Sequence, residues 1–210
     1  MDRRSFIRLV GGGAVALTGA ALAGCSSDYP KVAVAPRAGP QDTDDVRRWA
    51  LGYAILAPNS HNRQPWLVDL REPNAITLFV DRERMLPETD PWFRQIVVSQ
   101  GTFLELLVIA LEERGIEPQV QLFPQGDFAP RGVDARPVAR VSWAPGAPVP
   151  AKDPLFAQIL RRHTAKVDYD TTRPVAPATL QALAGVLPAD PGYGLRMGGT
   201  VDAAPSSATP

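Results

Sequence analysis

Between Ile96 and Arg114 the sequence places Phe103, Leu104, Leu106, Leu107, Val108, Ile109 and Leu111, with little polar face over the middle of the run. A helix that is apolar nearly all round has to be covered on several sides. Whatever this chain folds into must therefore be built around a long helix over 96–114. Gly115 follows it and suits the left-handed turn that ends many helices. Ahead of it, Asp90-Pro91 reads as a helix start, with Asp90 at the N-cap and Pro91 at the first helical position.

Other elements can be placed around that helix. Asp42-Thr43-Asp44-Asp45 offers caps and acids for a first helical turn. Val46, Trp49, Ala50, Tyr53, Ala54 and Ala57 then recur at helical spacing. Trp66–Leu70 and Ala75–Val80 read as strands joined by the turn Glu72-Pro73-Asn74. Gln119–Phe123 and Val138–Trp143 read as two more. Residues 26–41, with Pro30, Pro36 and Pro40, lack a sustained period and read as a linker. So do residues 145–152, with Pro145, Pro148 and Pro150. Asp153-Pro154 opens a further helix, with Leu155, Phe156, Ile159 and Leu160 on its apolar face, running into 161–170. Pro177, Leu180, Leu183 and Leu187 suggest another helix, and 198–210 is a small-residue tail of the kind that stays disordered.

The balance of 22 basic and 22 acidic residues gives a formal charge of zero, so no basic field points to nucleic acid. One cysteine excludes an intramolecular disulfide. His61 and His163 are the only histidines, too few for a His-rich metal site. Ser60 beside His61 is no nucleophile pair, because sequence neighbours do not aim their side chains at each other.

Two short stretches carry chemistry. Ala57–Trp66 lies where the helical pattern stops and a strand begins. Pro58 disfavours further helix, and Asn59, Ser60 and Asn62 are turn formers with free hydrogen-bonding groups. An ordinary helix-to-strand turn accounts for the same residues. The second stretch is Arg162-His163-Thr164-x-Lys166, whose fork and point charge both suit a phosphate. A solvated basic helix end accounts for it equally well.

The first stretch, Asn59-Ser60-His61-Asn62-Arg63-Gln64-Pro65-Trp66, resembles the Ser-x-x-Asn-x-Gln-Pro-Trp loop of the nitroreductase family of FMN flavoproteins. There the loop touches a flavin held mainly by the partner subunit. The second resembles the family's Arg-His-Ser-x-Lys motif, which binds the FMN phosphate and ribityl chain. Asp90-Pro91-Trp92-Phe93-Arg94 resembles an element of the Acg-type branch. The resemblance implies an α+β fold, nitroreductase-like, with an antiparallel-rich sheet and a long central helix. It also implies FMN as cofactor, contacted by Asn59, Ser60 and Asn62 and by Arg162, His163, Thr164 and Lys166. The usual order of the two motifs is reversed. No phosphate motif precedes the loop, and Pro36-Arg37-Ala38-Gly39 is a poor substitute. A tandem duplication explains the reversal: a first half over 42–144, then the start of a second over 153–197 that stops short of its own strands and core helix.

Residues 1–25 read as an export segment. Arg3-Arg4 resembles a twin-arginine signal, and Leu22-Ala23-Gly24-Cys25 a lipobox with Cys25 as the lipidated residue. The expected location is therefore the periplasmic or cell-surface side, lipid-anchored to a membrane. The expected activity is passage of hydride from NAD(P)H through FMN to a nitroaromatic or quinone-like acceptor. No side chain is named as an acid, base or metal ligand, since flavin carries the chemistry. The alternatives are a non-catalytic FMN-sequestering lipoprotein and an inactive fragment. An uncovered central helix would also promote self-association.

Overall fold

The computed structural model describes residues 31–168 and 170–186, which divide into two compact units between His163 and Thr164. The expectations placed on residues 1–25, Cys25 included, and on 187–210 lie outside them.

In the first unit, helix α1 spans Val46–Ala54. The Asp45 carboxylate caps it, accepting from the Arg47 N–H at 3.0 Å. Arg47 also donates to the carbonyls of Leu70 and Glu72, tying the helix start to the sheet. The helix stops before Ala57 because Leu56 and Ala57 tighten to Tyr53 and Ala54 carbonyls, one residue nearer than in an α-helix.

Four strands follow: β1 (Trp66–Asp69), β2 (Ala75–Val80), β3 (Gln119–Leu122) and β4 (Ala139–Ser142). They form one sheet in the order β1-β2-β4-β3, every pair antiparallel. Ile76, Leu78, Ala139 and Val141 face the core, where Phe103, Leu107 and Leu111 of helix α2 (Arg94–Glu113) and Trp49, Ala50 and Ala54 of α1 join them. Each fully buried Leu or Phe contributes roughly 1.5–3 kcal/mol by leaving water. The expected α+β class, antiparallel sheet and long central helix are all present.

The ends of α2 differ from expectation in an instructive way. Pro91 lies in a turn before the helix, not at its first position, and Phe93 precedes Arg94 in the left-handed region at φ 53°. Asp90 still caps the helix. Its buried carboxylate reaches over the turn to accept from the Ile96 N–H at 3.0 Å. At the other end Gly115 donates to Glu112 and Ile116 to Leu111, the paired bonds that a left-handed glycine permits. The helix is covered by α1 and the sheet, but not all round: Val98 stays 63% exposed.

Part of one stretch read as a linker, and the segment after Asp153, are packed into the fold. Residues 31–38 form a helical turn and then a 3-10 turn, and Pro40 lies against Gly52 of α1. A Cβ on Gly52 would sit 2.5 Å from the Pro40 Cβ, so only glycine admits this approach. The helix expected after Asp153 is a 3-10 turn, Pro154–Gln158. Phe156 stacks on Trp49 at 5.9 Å and meets Tyr53 at 4.9 Å, and Ile159 is buried. These contacts pack Asp153–His163 against α1 within the first unit. The second unit contains helix α3 (Pro177–Val186), on which no described residue is buried.

Candidate functional site

The loop from Ala57 to Trp66 contains a 3-10 turn, Ser60–Asn62, and three non-glycine residues in the left-handed region. These are His61 at φ 50°, Asn62 at 54° and Gln64 at 50°. Such conformations cost about 1–3 kcal/mol each and persist only where their surroundings impose them.

The surroundings here are hydrogen bonds. The Asn59 carboxamide closes the loop on itself, accepting from the Gln64 N–H at 2.8 Å and donating to the Ala57 carbonyl at 3.1 Å. From α2, the Ser99 hydroxyl accepts from the Ser60 N–H at 3.1 Å, and Thr102 donates to the Pro58 carbonyl at 2.7 Å. Gln100 donates to the Pro65 carbonyl at 2.9 Å, and the Trp66 indole N–H donates to the Ser99 carbonyl at 3.0 Å. Arg63 and Arg84 exchange bonds with each other's backbone carbonyls. Sequence reading missed Ser99, Gln100 and Thr102. The signal was there: Ser99-Gln100-Gly101-Thr102 interrupts the most apolar run in the chain.

The predicted contact residues therefore have different situations. Asn59 is spent on the loop itself. The half-buried Ser60 hydroxyl and the exposed Asn62 carboxamide make no side-chain hydrogen bond among the described residues. Both are available to a ligand on a rigid base.

Arg162 reaches the same region within the first unit. Its Nη2 donates to the Leu56 carbonyl at 2.8 Å, just beyond the C-terminus of α1 and shortly before Asn59. Its Nε is buried and has no partner among the described residues. Burial, and secondarily the nearby Arg37 guanidinium, hold its pKa below the ordinary arginine value. Arg37 in turn donates to the Arg162 carbonyl at 2.9 Å. His163 is exposed, with Nδ1 3.2 Å from the Arg161 carbonyl, a contact that requires Nδ1 to carry the proton. Thr164 and Lys166 are exposed in the second unit. No cluster of three or more metal-ligating side chains occurs among the described residues.

No family model matches the chain. Among curated proteins, Mycobacterium tuberculosis Rv3131, provisionally named an NAD(P)H nitroreductase, is 34% identical over 128 residues. That match takes in 61% of this chain and 35% of the relative. The M. tuberculosis protein acg, named in the same way, is 34% identical over 82 residues, 39% of this chain and 24% of its own length. PigM of Serratia sp., also so named, is 30% identical over 129 residues, 59% of this chain and 34% of its own.

This chain is nitroreductase-like in sequence.

The nitroreductase-like chain thus matches about a third or less of the length of these relatives. A solved NADH oxidase-type protein from Clostridium acetobutylicum is 15% identical with a TM-score of 0.40, over 61% of this chain and 92% of that one, too loose a likeness to equate the two folds. The expectation of a twin-arginine-exported, lipid-anchored protein on the periplasmic or cell-surface side is corrected by the comparison. The three relatives just described are bacterial proteins named as nitroreductases, and neither export nor a lipid anchor enters their names.

Proposed function

We propose that the chain binds FMN and serves as an oxidoreductase of the nitroreductase type. The observation that carries this reading is the buried Arg162 Nε, without a partner among the described residues, on a side chain that sits beside a second cation and bonds the Leu56 carbonyl shortly before the rigid polar loop. An unpaired buried guanidinium nitrogen is costly, and an oxyanion relieves it. The residues thus fit a phosphorylated ligand. The names of the mycobacterial and Serratia relatives support an NAD(P)H-dependent nitroreductase, and the residue pattern of the loop supports FMN.

In this reading Arg162 holds the phosphate, while Ser60 and Asn62 offer hydrogen bonds to the polar edge of the flavin. Asn59 keeps the loop shaped, and Ser99, Gln100 and Thr102 keep it rigid. FMN held by Arg162, Ser60 and Asn62 would supply redox chemistry between NAD(P)H and a nitroaromatic or quinone-like acceptor. The protein's part is to bind and orient. Thr164 and Lys166 take their assignment from the sequence pattern alone. Self-association belongs to the same reading, supported by the exposure of Val98 (63%), Leu122 (58%) and Trp92 (48%); a monomer in sedimentation velocity at every concentration removes it.

The test is a flavin titration. Arg162→Ala removes a charge-assisted bond worth about 1.5–3 kcal/mol, so FMN should bind roughly ten- to a hundred-fold more weakly. Asn62→Ala removes a neutral bond worth about 1 kcal/mol and should weaken it several-fold. Parent affinity in both variants refutes the site. Anaerobic bleaching of the flavin bands by NADH or NADPH separates a reductase from a protein that only sequesters FMN.

A further inference from the structure

We infer that Arg37 is the second half of the phosphate seat, and that Arg37 and Arg162 together select a phosphate dianion over an uncharged or singly charged ligand. The inference rests on the FMN reading only in assigning that phosphate to a flavin. The sequence gives Arg37 no role, since Pro36-Arg37-Ala38-Gly39 matches no phosphate motif.

The fold brings it there by construction. Pro36 sets the 3-10 turn Ala35–Ala38, and Gly39 turns the chain at φ 86°. A Cβ on Gly39 would lie 3.4 Å from Leu160 and 3.8 Å from the Tyr53 hydroxyl. Pro40 closes against Gly52. The segment is therefore lodged between α1 and the turn that carries Arg162. From this position the Arg37 guanidinium donates to the Arg162 carbonyl at 2.9 Å.

The electrostatics then need an anion. Nine ion pairs occur among the described residues, and neither Arg37 nor Arg162 belongs to one. Two neighbouring guanidinium groups repel, and desolvation of Arg162 makes that repulsion stronger than in water. A carboxylate leaves one charge over. A phosphate monoester, near two negative charges at pH 7 with three acceptor oxygens, offsets both and supplies an acceptor for the free Nε. The ligand class is accordingly a phosphate monoester.

The experiment titrates the full chain with FMN, riboflavin and inorganic phosphate, reading flavin fluorescence and the 31P linewidth. The variants are Arg37→Gln, which keeps a donor for the Arg162 carbonyl but removes the charge, and Arg71→Ala as a control on an exposed pair with Asp69. Arg37→Gln should weaken FMN about ten-fold, leave riboflavin within two-fold, abolish broadening of the phosphate line and leave the melting temperature unchanged. Equal loss of FMN and riboflavin, or no loss of either, overturns the inference. If the parent broadens the phosphate line and Arg37→Gln does not, while the parent fails to prefer FMN to riboflavin, the seat stands and the flavin reading fails. If the parent prefers FMN and Arg37→Gln keeps that preference, the flavin reading stands and the role of Arg37 fails.

Discussion

Replacing Ser99 by Ala separates the stability of the loop from that of the core. The Ser99 hydroxyl makes two bonds: it accepts from the Ser60 N–H at 3.1 Å and donates to the Gln95 carbonyl at 2.7 Å within its own helix. The second bond contributes little, because the Gln95 carbonyl already lies on the helix ladder and back-bonding of this kind slightly disfavours helix. Alanine raises helix propensity by about 0.5 kcal/mol. Loss of the Ser60 bond costs about 1 kcal/mol, toward the low end of the range because Ser60 is half-buried and water can replace the partner. The global change should then be a destabilisation of only about 0.5 kcal/mol. The loop, held against α2 by this bond, should feel the whole 1 kcal/mol, and the Ser60 amide should exchange about five-fold faster. The Trp66 indole proton, bonded to the Ser99 backbone carbonyl rather than its side chain, should keep its protection. Native-state hydrogen exchange by NMR reads all three sites at once. An equal rise in exchange at Ser60 and at core amides such as Leu107 would refute the separation, and unchanged exchange at Ser60 would refute the clamp.

Other substitutions and conditions test the remaining contacts. Gln100→Leu should be neutral or stabilising by up to about 2 kcal/mol in chemical denaturation, because it removes a buried Oε1 that has no partner among the described residues while the Pro65 carbonyl keeps the Asp81 N–H; a loss above about 1 kcal/mol would mean Oε1 has a partner. Gly52→Ala gains about 1 kcal/mol of helix propensity but drives a Cβ against Pro40. Limited trypsin cleavage after Arg37 should therefore accelerate, and an unchanged rate counts against the seating of residues 31–40. The Asp69 carboxyl is held at about 2, below its ordinary 3.8, chiefly by hydrogen bonds from Arg71. Its folded pKa is depressed, so its contribution is complete above 3.8 and is lost as pH falls toward 2. A carboxyl NMR titration should show that midpoint move back toward 3.8 in Arg71→Ala; an unmoved midpoint refutes the pair.

The elements were legible in the sequence wherever a period ran long enough. The apolar run of α2, the short apolar run of β2 after a turn signal and the helical spacing from Val46 gave the right element types, because side-chain burial follows local pattern. The loop between α1 and β1 was legible too, from the turn formers Asn59, Ser60 and Asn62 ahead of Gln64-Pro65-Trp66. What each residue does there was decided only by tertiary contacts. Asn59 and Asn62 are the same side chain a few residues apart, yet one is consumed in closing the loop and the other is free. That difference depends on backbone conformation at His61, Asn62 and Gln64, which α2 imposes from some forty residues away. The same holds for Arg37 and Arg162, 125 residues apart. No local pattern marks Arg37, because its position comes from Pro40 meeting Gly52. The proline-rich stretch around Pro36 and Pro40 carries the same lesson: composition limits regular structure within a segment, while the grooves of its neighbours determine whether the segment is free or seated.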